Sequence, residues 1–130
     1  MMNPDFAIVL NYQINGNADA DFLVKTARDI GARAVITNSQ NDDFKAACAK
    51  YTILLADAKN GTDLTSNNVI DTMVNNRQDG KTTIINVPVE NGEFSAATQE
   101  MLDVINNWMH LFGHAFNEGQ PSALTSSDGF

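Results

Sequence analysis

A chain of 130 residues, 43% hydrophobic and 18% charged, has the size of a single domain built on one core. Eight Lys and Arg against 16 Asp and Glu give a net charge of −8, which argues against binding to nucleic acid or to an anionic membrane surface. Polarity comes instead from 16 asparagines, whose amides offer donors and acceptors without charge.

The N-terminal residues Met1 to Phe6 lack a basic leader region, and the apolar run Phe6 to Leu10 is shorter than a signal-peptide core or a membrane span. The expectation is a soluble, cytoplasmic protein. Four apolar runs, Phe6 to Asn11, Arg33 to Thr37, Thr52 to Ala56 and Thr82 to Val87, read as strands covered on both faces. Helical periodicity alternates with them. Asp19 caps a first helix over Ala20 to Ile30, which Gly31 ends. Asp42 to Lys50 forms a second, with Phe44, Ala47, Cys48 and Tyr51 on one face. A third begins near Thr65 or Ser66, presents Val69, Ile70, Met73 and Val74, and stops at Gly80. Ser95 caps a fourth, whose stripe Met101, Leu102, Ile105, Trp108, Met109 and Phe112 is expected to end at Gly113. Residues 1 to 116 thus make one α/β domain of four βα units with a mostly parallel sheet, and 117 to 130 a polar C-terminal tail.

Chemistry-bearing patterns are few. No strand is followed by closely spaced glycines and no Gly-Lys-Ser/Thr occurs, so no nucleotide cofactor is expected. Asp57 follows the third strand as a phospho-acceptor would, but acids are missing after the first strand, where Asn11, Tyr12 and Gln13 stand. His110 and His114 are spaced i, i+4, yet Gly113 is expected to end the helix between them and no third ligand lies nearby, so no metal is expected. Cys48, the only cysteine, sits among alanines and reads as a buried thiol. What remains is the rim at the carboxyl ends of the strands, where parallel α/β folds bind ligands. It offers Asn11, Tyr12, Asn38, Gln40, Asn41 and Asn86 as ligand-binding amides and ring, and Asp42, Asp57 and Glu90 as candidate carboxylates for glycoside hydrolysis.

Three segments carry a family resemblance. Phe6-Ala-Ile-Val-Leu-Asn-Tyr12 resembles a first barrel strand of Phe-Gly-x-Phe-x-His-Trp type. Gly31-Ala-Arg33, Thr37 to Phe44 and Lys50-Tyr-Thr52 resemble Gly-Ala-Lys, Thr-x-Lys-His-His-Asp-Gly-Phe and Lys-Tyr-Thr in the same order. Ile84-Ile-Asn-Val-Pro88 with Gly92, then Ile105-x-x-Trp108-Met109 and Gly113-x-Ala-Phe116, resemble a last strand and helix. Together they cover about half the chain and are similar to the α-L-fucosidases, retaining glycosidases with a TIM-like barrel. Asn11 and Gln40-Asn41 stand where that family has histidines, Asp43 where it has Gly, and the strand bearing the nucleophile is missing. A retaining glycosidase needs that carboxylate, so the resemblance implies a much shortened, non-catalytic relative that binds a carbohydrate or other small polar ligand. The alternatives are an active hydrolase using Asp42, Asp57 or Glu90, within an oligomer if the site is shared, and a structural or interaction module.

The resemblance also implies a topology, because the family's last strand lies beside its first. The expected sheet order is 3-2-1-4, with right-handed crossovers placing helices on both faces in three layers. The alternative is half of a TIM-like barrel, whose open strand edges favour a homodimer.

Overall fold

The computed structural model describes residues 7–39 and 41–118, so residues 1–6, Gln40 and residues 119–130 lie outside the described residues, Phe6 of the expected first strand among them. The elements run β1 (Ile8–Asn15), α1 (Ala20–Asp29), β2 (Ala34–Thr37), α2 (Asp42–Tyr51), β3 (Leu54–Leu55), α3 (Val69–Gln78), β4 (Thr83–Glu90) and α4 (Ala96–Glu118). All strand pairs are parallel and the sheet order is β3-β2-β1-β4, as expected. Leu55, Val35, Leu10 and Ile85 share one register row.

Strand alternation divides the side chains into two faces. Ile8, Leu10, Tyr12, Val35, Ile85, Val87 and Val89 join buried residues of all four helices in one core. The opposite face holds a small cluster, Val9, Ala34 and Ile36 with Ala56 and Ile84, to which no helix contributes. The helices therefore cover one face of the sheet rather than two.

The connection from β3 to α3 explains the one-sidedness. Thr62 donates its N–H to Ile84 C=O and accepts from Asn86 N–H at the outer edge of β4, in the same register row as Leu55 at the opposite edge. Crossing four strand spacings of about 4.8 Å takes about 19 Å, and six extended residues reach about 20 Å. Residues 56–62 must therefore run straight across the back of the sheet. This strap supplies the cover that a second layer of helices would have given. It lies so close that a Cβ on Gly61 would meet Asn86 Oδ1 at 2.2 Å.

Local signals account for most boundaries. Asp19 Oδ1 accepts from Phe22 N–H at the start of α1, and past Gly31 the Ala32 N–H returns to Ala27 C=O. Asn41 caps α2, and Ser95 Oγ accepts from Thr98 N–H at the start of α4. Two expectations fail. α3 begins at Val69 after a turn in which Thr65 C=O accepts from Asn68 and Val69, several residues beyond the expected Thr65 or Ser66 cap. Gly113 does not end α4, which runs to Glu118, two residues into the expected tail. Gly113 lies inside the helix because Met109 packs against it, and its Cε would be 3.3 Å from an added Cβ. β1 and β4 are longer than expected and β3 shrinks to two residues, since the chain leaves that edge for the strap.

Candidate functional site

A cleft of varied chemistry lies at the carboxyl end of β4, where the strap leaves the sheet edge and α4 begins. It encloses about 380 Å³. Gln13 comes from β1 and Asn86 and Pro88 from β4; Asp63 to Ser66 follow the strap, and Ala97, Thr98, Glu100 and Met101 come from the first turns of α4. Two devices aim these pieces at one another. Asn91 and Gly92 both have positive φ, 49° and 84°, and Glu90 and Glu93 exchange backbone hydrogen bonds around them. That tight Asn-Gly turn sends the chain from β4 straight into the Ser95 cap. The Thr62 pairing on the other side fixes Asp63 beside Asn86.

A chain of side-chain hydrogen bonds runs along this wall. Asn11 Nδ2 donates to Asn86 Oδ1 at 2.9 Å, and Asn86 Nδ2 donates to Asp63 Oδ1 at 2.8 Å. The order fixes which amide atom faces which neighbour and holds the Asp63 carboxylate in place. Pro88 stands on the outer edge of β4 one step beyond the Thr62 pairing, where it has no N–H to leave unpaired. Its outward side, with Leu64 and Met101, gives the cleft an apolar floor. Around that floor stand two carboxylates, two amides and the hydroxyls of Thr65, Ser66 and Thr98. Donors and acceptors surrounding an apolar patch match a sugar ring, which presents hydroxyls at its rim and C–H groups on its face.

The residues expected at the rim separate into different tasks. Tyr12 does not reach the cleft: it is fully buried under α1, its hydroxyl donates to Leu23 C=O at 2.6 Å, and burial pushes its pKa far up. Asn38 is exposed but spends both ends of its amide on Ile14, accepting from its N–H at 2.9 Å and donating to its C=O at 3.0 Å. It extends the ladder past the end of β2 instead of waiting for a ligand. Asn41 accepts from Phe44 N–H as the α2 cap and donates to Ser39 Oγ. Asn11 braces Asn86, and among the described residues Asn86 alone of the expected amides lines the cleft; Gln40 lies outside them.

The candidate carboxylates stand at three different places in the fold. Asp42 opens α2 on the helical side, Asp57 begins the strap on the back, and Glu90 ends β4, three strands from β3, where it accepts from Asn15 Nδ2 at 3.1 Å. None of them lines the β4 cleft. The acids that do, Asp63 and Glu100, went unmarked in the sequence because only the strap's crossing brings residue 63 to β4. His110 and His114 share α4 after all and are exposed; among the described residues no three His, Cys, Asp or Glu are grouped to hold a metal. Cys48 is buried, and burial raises its thiol pKa. No helix among the described residues is long and apolar enough to cross a membrane. Comparison with family models, curated proteins and solved structures found no match.

Proposed function

We propose that this chain is a non-catalytic, α-L-fucosidase-like α/β domain that binds a small polyhydroxy ligand, a sugar, in the cleft at the carboxyl end of β4. The observation that carries the reading is the lining itself: Asp63, Asn86, Gln13, Glu100 and Thr98 around the floor of Leu64, Pro88 and Met101. Ordered amide and carboxylate groups recognise hydroxyls by paired hydrogen bonds, and the pre-set Asn11–Asn86–Asp63 chain keeps the ordering cost low. The non-catalytic part rests on the amides that replace imidazoles at Asn11 and Gln40-Asn41, which removes the groups best suited to proton transfer near neutral pH.

A second reading, a small hydrolase, is favoured by one feature: two carboxylates, Asp63 and Glu100, line the same cleft. One pair of assays separates the two. Binding of monosaccharides, L-fucose included, by the full chain should be lost in Asp63→Ala and Asn86→Ala, while aryl α-L-fucosides stay intact. No binding to any sugar would refute the proposal. Hydrolysis of an aryl glycoside that Glu100→Gln or Asp63→Asn abolishes would replace it with the second reading.

A further inference from the structure

We propose that Asn60, in the strap, is a site of spontaneous backbone modification: it converts to isoaspartate with water as the only co-reactant, and the strap then loosens from β4. The chain holds three Asn-Gly pairs, Asn15 with Gly16, Asn60 with Gly61 and Asn91 with Gly92. In such a pair the glycine nitrogen, unshielded by a Cβ of its own residue, can attack Cγ of the asparagine. The N–Cγ bond forms, the Cγ–Nδ2 bond breaks, and Nδ2 leaves as ammonia with the proton of the glycine N–H. Water then opens the five-membered imide. Cleavage of the new N–Cγ bond gives aspartate; cleavage of the original peptide bond gives isoaspartate, whose main chain runs through Cβ and Cγ. Nothing is oxidised or reduced.

The surroundings rank the three pairs. Closing the ring turns the peptide plane between the two residues, and the flanking chain stays in place when ψ of the first and φ of the second counter-rotate. At Asn15 that plane is held, because its C=O accepts from Asn91 N–H at 2.8 Å, and the leaving nitrogen Nδ2 is committed to Glu90 Oε1 at 3.1 Å. At Asn91 the plane is the centre of the turn that Glu90 and Glu93 clamp with two backbone hydrogen bonds. Its Oδ1 also lies against Gly16, where an added Cβ would collide with it. Asn60 is exposed, and residues 57–61 make no hydrogen bond to any of the described residues. Hydrogen bonds tie the strap only at its ends, from Ala56 N–H to Val35 C=O and at the Thr62 pairing with β4. A segment held in this way opens locally at little cost, and its central peptide plane turns even though the strap is close to full stretch.

That stretch decides the consequence. Isoaspartate adds one carbon–carbon bond, about 1.5 Å, to a strap whose reach exceeds its span by only about 1 Å. Gly61 sits against Asn86 and Ile84 of β4 with no room for a Cβ, so a longer main chain ahead of it disturbs that fit and the Thr62 register together. Aspartate, the other product, adds the same charge without the extra bond.

Peptide mapping of the full chain, aged in warm, mildly alkaline, isotopically labelled water, reads which asparagines have exchanged their amide nitrogen for labelled oxygen; an isoaspartate-specific methyltransferase reads which product forms. Asn60 should convert at least about tenfold faster than Asn15 and Asn91, each of which must first break one or two hydrogen bonds. In guanidinium the three rates should converge. In the isoaspartate form, hydrogen exchange at Thr62 N–H and Asn86 N–H, the two bonds that pin the strap to β4, should quicken at least about tenfold. Asn60→Asp, which has the charge and the original chain length, should keep both protected, as should aged Asn60→Ala. Conversion led by Asn15 or Asn91, equal rates at all three in the folded chain, or no conversion at Asn60 overturns the proposal. So does an isoaspartate form that exchanges no faster than the fresh protein, or Asn60→Asp exchanging as fast as that form.

Discussion

Tyr12 carries the most buried hydroxyl of the core, matched by the carbonyl of Leu23. Tyr12→Phe should cost about 1–2 kcal/mol, the loss of one buried hydrogen bond, in urea unfolding, with sugar binding unchanged; a loss of binding at retained stability would put Tyr12 back at the site. Thr52 follows α2 with φ 58°, a left-handed conformation that a β-branched residue adopts at a cost. Thr52→Gly should therefore stabilise the fold by about 1 kcal/mol, read from the shift of the unfolding midpoint, and a lower midpoint would show that the threonine side chain makes up for its backbone. At this scale the sequence was a good guide to caps and a poor one to amides. Asp19, Asn41 and Ser95 act on neighbours three residues away, within a window that local spacing shows. Asn38 and Asn86 find partners 24 and 23 residues away, and an asparagine gives no local sign of whether its amide is spent on the backbone or open to a ligand.

The strap and the helix pair α1–α2 are the elements that set the site and its frame. Gly61→Ala puts a Cβ at 2.2 Å from Asn86 Oδ1, so either the strap lifts or the Asn11–Asn86–Asp63 chain breaks. A loss of about 1–3 kcal/mol is expected, together with weaker sugar binding, by calorimetry on both counts; unchanged binding would mean that the strap does not position Asp63. α1 and α2 are clasped at the surface by Asp21, which accepts from Lys50 Nζ and Tyr51 Oη at 2.9 Å each. Those hydrogen bonds, Lys50 first, hold the Asp21 carboxyl below its ordinary range. A depressed carboxyl stabilises the fold above its unfolded pKa of about 3.9 and stops doing so as pH falls through the folded value. Asp21→Asn should accordingly flatten the acid limb of the melting temperature below about pH 4; an unaltered limb would show that the clasp is fully screened. The strap itself was illegible in the sequence, because Lys59 to Asp63 reads as a polar connection whatever surface it crosses. α4 was legible at its start and not at its end, since a glycine that admits a methionine cannot be told from a glycine that ends a helix without knowing what lies opposite.

Across the whole molecule, strand order and layering tell different stories. The 3-2-1-4 order came through because each apolar run kept its place. The layering did not, because handedness arguments assume a helix in every crossover, and the β3 to β4 connection makes its sideways move as an extended strap. One consequence is an open back face at the carboxyl end of β4, where the cleft forms; another is a single layer of helices whose last member keeps an apolar side uncovered. The account stands most directly on where a sugar binds. Titrating the 15N-labelled chain with monosaccharides and following amide shifts should move Asn86, Asp63, Thr65, Thr98 and the Asn86 and Gln13 side-chain signals together, and leave the neighbourhoods of Asp42 and Asp57 still. Saturating shifts confined to the Asp42 and Asp57 surroundings, or none at all, would contradict it.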